Sequence, residues 1–415
     1  MIDQFFHSAS RIQALRNGLY GSVLEAFAQE LWKAGYAQYT ARARIRAAEH
    51  FIYWAHKAGI PAGRFNTQLL PRFDAHLSRC QCPRFEHTDR YDVLRGVRSF
   101  VGYICGAGVS LVHTAEAPAQ DPVLLAAFRT WMREQRGTGD LTLNCYSIPL
   151  RDLLKRIGED PGRLDAQTLR QFVLERSLTC GPGAAKNCTT ALRMFLRFLI
   201  AEGKCATGLD QAVPVVAHWR LSSLPRYLQP EQVERIIAAC NPATPVGKRD
   251  RAIVLLLARL GLRAGDIVQL RLQDIDWKEA WICISGKSRR ETRLPLSQEV
   301  GQAIVDYLHD ARPRSDSDAL FLRSTAPFQA FASHCGVSVI VAQAMRRAGV
   351  ACPTRGAAHA LRHSVATSML RSGASLQDIA AILRHRSIET TQIYAKVDVT
   401  SLQRIAQPWP EVGPC

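Results

Sequence analysis

His359-Ala360-Leu361-Arg362-His363, then Leu383-Arg384-His385, then Thr391-Gln392-Ile393-Tyr394 gather an unusual set of side chains into a few dozen residues. His359 and Arg362 are three apart, so on a helix they share a face and reach one oxyanion. Arginine offers a planar fork of donors matched to phosphate oxygens, which lysine does not. Tyr394 is a candidate nucleophile, because a phenol forms a covalent intermediate once its proton is removed and the developing charge is held. The plainer reading is a buried ion pair or cap at His359 and Arg362 and an amphipathic core tyrosine at 394. His363 is adjacent to Arg362 in sequence and reads as structural, facing elsewhere.

A matching piece lies upstream. Leu260-Gly261-Leu262-Arg263-Ala264-Gly265-Asp266 supplies a second arginine with an acid one turn on. Two apolar-alternating runs around Ser285-Gly286 predict a β-hairpin. Lys287 sits at its turn and projects into a groove or into solvent. Arg289 and Arg290 share that turn, and either reading applies to all three.

Taken together, these residues resemble the tyrosine recombinases, the family of phage integrases and related site-specific DNA recombinases. The family carries an Arg, a hairpin Lys, a His-x-x-Arg, a His or Trp, and a Tyr. These fall on Arg263, Lys287, His359, Arg362, His385 and Tyr394. The resemblance covers about residues 226–407 well, and the helical region before it more loosely. Two positions depart from the pattern. Arg384 precedes the second histidine where the family has Gly, and Asp266 stands where it has Glu.

The resemblance implies a mainly α fold with a small antiparallel β-sheet in the catalytic domain, an α+β class. It implies cleavage through a 3′-phosphotyrosyl link at Tyr394, with Arg263 and Arg362 on the non-bridging oxygens. Lys287 would protonate the departing 5′ oxygen, and His385 would hydrogen-bond a phosphate oxygen. His359 would accept a proton or donate to phosphate, and Asp266 would brace Arg263 or a histidine. No cofactor, metal or ATP is called for. Double-stranded DNA is the partner, a homotetramer on DNA the working assembly, and sister recombinases of a mobile element are further candidates. The apolar positions Val397, Leu402, Ile405 and Trp409 form a tail able to pack on a neighbouring subunit. Two alternatives stay open: an accessory DNA-binding subunit without catalysis, and type IB topoisomerase-like relaxation.

Composition points the same way. The 415 residues carry a formal net charge of +17, a field that favours polyanions. The basic residues are spread along the chain, which suits wrapping a duplex better than anchoring to an acidic membrane. The run Ala252–Leu262 is broken by Arg259 and too short to span a bilayer. No signal layout opens the sequence, so a cytoplasmic, nucleoid-associated protein is expected. The 12 cysteines then read as reduced core residues. One cluster, His76, Cys80, Cys82 and His87, has zinc-ligand chemistry. Its Cys-x-Cys spacing is not the usual Cys-x-x-Cys, and no metal is assigned.

Before the catalytic part the chain repeats itself. Residues 40–54, 64–73 and 94–103 are echoed in order by 142–154, 163–172 and 192–198. The expected domains are therefore an arm-like or duplicated core-binding helical unit at 1–115 and a core-binding unit at 122–206. The catalytic domain follows at 226–407, with a tail at 408–415. Linkers fall at 109–121 and 204–225. Arg42, Arg44, Arg46, Arg95 and Arg98 either grip DNA phosphates or face solvent. A strand is expected at 319–323 and a helix at 338–348, ending at Gly349.

Overall fold

The computed structural model describes residues 1–83, 85, 89–106, 121–216, 224–285, 291–353, 356–385, 387–398, 402–403 and 406. The chain forms two compact units, one of Met1–Val112 with Leu224–Cys415 and one of His113–Ser223. Among the described residues the architecture is helical with one three-stranded antiparallel sheet.

The N-terminal module contains α1 (Ala9–Asn17), α2 (Gly21–Lys33), α3 (Gln38–Lys57), α4 (Leu70–Leu77) and α5 (Arg90–Ile104). Ala41, Ile45, Ala48 and Ile52 recur at helical spacing along α3 and are buried. That face packs on α5. The two backbones approach closely at Gly96, where a Cβ would stand 2.5 Å from the Ala47 methyl carbon. Arg44 lies on the buried side of α3, 3% exposed, with its guanidinium 4.5 Å from the Tyr36 ring centroid. This corrects its candidacy as a phosphate contact: the side chain is spent on a cation–π contact inside the module. Arg42 donates through Nε to the Phe5 carbonyl. Arg46, Arg95 and Arg98 are exposed.

The second unit contains α6 (Val123–Arg136), α7 (Asp140–Ile157), α8 (Ala166–Thr179) and α9 (Pro182–Ala201). Its core is separate, built from Leu143, Leu150 and Leu154 of α7 against Leu192, Phe195 and Leu199 of α9. The helix pairs repeat: α2 on α3, α3 on α5 and α4 on α5 in the first module, then α6 on α7, α7 on α9 and α8 on α9.

The C-terminal part opens with α10 (Pro230–Ala238) and α11 (Pro245–Arg259). Ile253–Leu257 of α11 is apolar all round and fully buried, which marks α11 as the central helix. α12 (Ala264–Gln269) follows, then β1 (Ile275–Asp276), β2 (Trp281–Ser285) and β3 (Glu291–Pro295), in sheet order β1-β2-β3. Ile282 and Ile284 face inward while Trp281 and Ser285 face out, as a strand's period of two requires. The hairpin register pairs Ser285 with Glu291. Lys287, Arg289 and Arg290 lie outside the described residues, as does His87.

Helices α13 (Gln298–Asp310), α14 (His334–Arg347), α15 (Ala357–Arg371) and α16 (Leu376–Ile382) complete the domain. α14 starts earlier than expected because the Ser333 hydroxyl caps the amide of Cys335. The strand expected at 319–323 is not formed; only isolated bridges link Arg271 to Ala319 and Leu322 to Ala330. The reason is local. The Arg312 guanidinium takes the carbonyls of Ser317, Ala319 and Leu320, which a ladder would otherwise use. No described helix is long and apolar enough to cross a membrane.

Candidate active site

Three elements converge on the site. Arg263 is the N-cap of α12, in extended conformation. The Asp266 carboxylate accepts its backbone N–H at 2.8 Å, so the acid fixes where the arginine leaves the backbone. His359, Arg362 and His363 come from the first turns of α15. Arg384, His385 and Tyr394 come from the segment after α16, with Tyr394 in a 3₁₀ turn at Gln392–Val397. A small core of Ala366, Ile379, Leu383 and Tyr394 docks that segment on α15.

Arg362 is buried. It donates to the carbonyls of Gly261 and Leu383, which brings the arginine loop and the Tyr394 segment to one guanidinium. Arg263 donates through Nη2 to the carbonyl of Arg384 at 3.0 Å. The two catalytic candidates are thus each anchored to backbone near His385. Burial lowers the proton affinity of Arg362, and the nearby Arg263 lowers it further. Two guanidiniums held this close repel, and an anion between them relieves that repulsion.

Gly261 and Arg384 occupy special backbone positions. Gly261 has φ +59, and a Cβ there would lie 2.7 Å from Leu383 Cδ2. Arg384 has φ +54, a left-handed conformation that favours glycine. Its guanidinium pairs with Asp266, with both side chains 9% exposed. Its Nε and Nη1 are buried without a hydrogen-bond partner among the described residues. Asp266 therefore braces the amide of Arg263 and the side chain of Arg384, rather than a histidine.

The Tyr394 side chain is buried, 1% exposed. Its hydroxyl lies 2.8 Å from Nδ1 of His363. Burial raises the affinity of the phenol for its proton, with Arg362 and Arg263 pulling the other way. His363 is pushed down to about 4 by burial, with His359 and Arg362 adding to the effect. His385 is also pushed down to about 4, by burial first and then Arg362, Arg263 and His363. Burial and the same arginines lower His359. All three imidazoles are therefore neutral near pH 7. In the tautomer that leaves Nδ1 unprotonated, the neutral His363 imidazole accepts the hydrogen bond of the phenol and lies on the path its proton would take. His385 is oriented by Thr391, whose hydroxyl lies 2.7 Å from Nδ1.

The structure thus brings together Arg263, His359, Arg362, His385 and Tyr394, with Asp266 behind them. Sequence adjacency misdirected the reading of His363, which contacts the phenol. The signal for it was present: His359 and His363 are four apart, and their rings are 5.8 Å from centroid to centroid on one helix face.

The profile of the phage integrase family matches residues 226–400. "Putative integrase/recombinase y4rA" of Sinorhizobium fredii is 37% identical over 390 residues, covering 92% of this chain and 93% of its own length. The tyrosine recombinase XerC of Lactobacillus delbrueckii subsp. bulgaricus is 28% identical over 66% of this chain and 94% of its own length. Among solved structures, the XerH site-specific recombinase bound to palindromic difH substrate matches with a TM-score of 0.56. The identity is 18%, with 83% of this chain and 95% of that chain covered, a likeness of fold. The chain belongs to the phage integrase family, the tyrosine recombinases that break and rejoin DNA strands.

Proposed function

We propose that Tyr394 is the nucleophile of this recombinase and that His363 takes its proton. The phenol oxygen attacks phosphorus, its proton passes to Nδ1 of His363, and the 5′-oxygen leaves with a proton from Lys287. Arg263 and Arg362 neutralise the non-bridging oxygens, His359 and His385 donate to them, and a 3′-phosphotyrosine results. A 5′-hydroxyl of another strand reverses the steps, so the bond energy is conserved without ATP. The observation that carries the reading is the Tyr394 hydroxyl resting 2.8 Å from a neutral imidazole, in the field of both arginines.

The assignment extends to the whole chain. The helical modules at 1–115 and 122–206 hold the duplex, and residues 226–407 carry the chemistry. Arg46, Arg95 and Arg98 are exposed on basic helices and fit phosphate contacts. Lys287, Arg289 and Arg290 are assigned to the DNA by charge and by the family resemblance of Lys287 alone. Strand exchange between two duplexes requires four such sites, so the working form is a tetramer on DNA in the cytoplasm, at the nucleoid.

A suicide substrate made from the ends of the encoding element tests this. The wild-type chain should form a covalent adduct, and Tyr394→Phe should bind the same DNA without one. An adduct on Tyr394→Phe overturns the assignment. Plasmid relaxation without recombinant product would favour a topoisomerase, and binding without cleavage an accessory subunit.

A further inference from the structure

Far from the catalytic residues in sequence, the N-terminal module assembles a second chemical cluster. His50 comes from α3, His76 from the last turn of α4, and Cys80 and Cys82 from the irregular chain that follows. One ligand-capable atom from each of the four lies within 4.8 Å of all the others. Cys80 Sγ is 3.3 Å from His50 Nε2, and Cys82 Sγ is 3.5 Å from His76 Nε2. Both imidazoles present the same ring nitrogen inward. Both cysteines are free thiols.

The two sulfur–nitrogen distances are those of the edges of a coordination tetrahedron. With metal–nitrogen bonds of about 2.0–2.1 Å and metal–sulfur bonds of about 2.3 Å, a tetrahedral Cys₂His₂ centre has sulfur–nitrogen edges of about 3.5 Å. Thiol and imidazole groups brought together only by chance packing have no reason to place four ligand atoms within 4.8 Å of one another. Softness of the ligands adds to the argument: two thiolates and two imidazoles select zinc over magnesium, calcium or manganese. Two thiolates also balance the charge of a divalent ion, so the centre is neutral and tolerates burial.

The surroundings fit a closed structural site. The Phe85 ring stacks on His50 with centroids 4.3 Å apart and planes 5° apart. Phe73 meets His50 edge-on at 5.3 Å, and Trp54 lies 6.0 Å from His76. These rings wall the imidazoles with apolar surface. The backbone N–H of Cys82 points at Cys80 Sγ at 3.4 Å, the contact that stabilises a bound thiolate.

We infer that His50, His76, Cys80 and Cys82 form a structural zinc site that pins the end of α4 and its following turn to α3. Binding replaces the two thiol protons with one zinc ion, and both protons leave to solvent. The ion fastens the connection that leads into α5, whose outer face carries Arg95 and Arg98. Sequence spacing hides the site because the fourth ligand, His50, lies on another helix, and Cys-x-Cys is not the usual ligand pair.

Metal analysis of the full-length chain, purified under reductant without added chelator, is the test. Zinc equimolar with protein is expected, falling to background in the Cys80→Ser/Cys82→Ser double variant. Cobalt(II) added to metal-stripped wild-type protein should give tetrahedral d–d bands and a thiolate charge-transfer band. Zinc should then bleach both. The cobalt titration uses the wild-type chain, so it stands even if the double variant misfolds. Protein that takes up neither zinc nor cobalt under reductant overturns the site, whether its cysteines are free thiols or a Cys80–Cys82 disulfide. Undiminished zinc in a folded double variant also overturns it.

Discussion

The Tyr394 hydroxyl and Nδ1 of His363 are 2.8 Å apart, the contact through which the phenol can lose its proton. The imidazole is held neutral at neutral pH, while burial keeps the phenol protonated. Replacing His363 by Gln should slow cleavage about 10²–10⁴-fold, the usual range for a general base. Hydroxide must then remove the proton, so the variant's rate should climb with pH where the wild type is flat. Gel-shift affinity should hold. A variant with the wild-type pH profile would remove His363 from the chemistry.

Arg384 and Asp266 form a pair that should not vary one residue at a time. Glycine at 384 relieves a left-handed backbone worth roughly 1 kcal/mol, yet strands a buried carboxylate, which costs about 3–5 kcal/mol when its partner is lost. Arg384→Gly should therefore be net destabilising by roughly 2–4 kcal/mol in urea unfolding. Combined with Asp266→Asn, the loss should be smaller than the sum by at least about 1 kcal/mol. Additive losses would mean that the ion pair does not couple them.

Gly261 offers no room for a side chain. Alanine there meets Leu383 Cδ2 at 2.7 Å and adopts φ +59. The carbonyls of Gly261 and Leu383 are the partners of Arg362, so the clash shifts the guanidinium directly. Gly261→Ala should lower kcat for cleavage by an order of magnitude or more, since small displacements of a positioned group act steeply. Unaltered single-turnover cleavage would contradict this.

Stability should fall as pH drops below the ordinary range of histidine. His363 and His385 bind protons at about 4 when folded, against 6.5 in the unperturbed group. The unfolded chain therefore takes up more protons through that window, and folding weakens as pH falls from about 6.5 towards about 4. Above the window these groups contribute nothing further. The urea midpoint should decline between about pH 7 and 5, less so in His363→Gln. A flat midpoint, or one that His363→Gln leaves equally steep, would refute the assignment.

Much of this was legible in the residues themselves. Arginine, histidine and tyrosine at 263, 359, 362, 385 and 394 announce phosphate chemistry because few other tasks use them together. The hairpin at Trp281–Pro295 follows from apolar periodicity, whereas the apolar run from Ala252 to Leu262 shows as a run without disclosing that it is the central helix α11. What the chain did not disclose arises from tertiary packing. Arg362 meets the carbonyl of Gly261 across 101 residues, a partnership that spacing does not encode. Arg44 looks like its exposed neighbours in a list of basic residues, but one step around α3 buries it on Tyr36. His363 was hidden by its neighbour, although the turn of the helix sets it beside His359. Arg384 stands where the family has Gly, and its side chain proves to be the partner of Asp266.

A phenol sealed at 1% exposure has a counterpart after the first chemical step. The same apolar wall that hides Tyr394 from solvent would shield the ester made at its oxygen from hydrolysis. The cut strand then waits for a nucleic acid hydroxyl instead of being lost to water, and breakage ends in a repaired joint rather than a lasting nick.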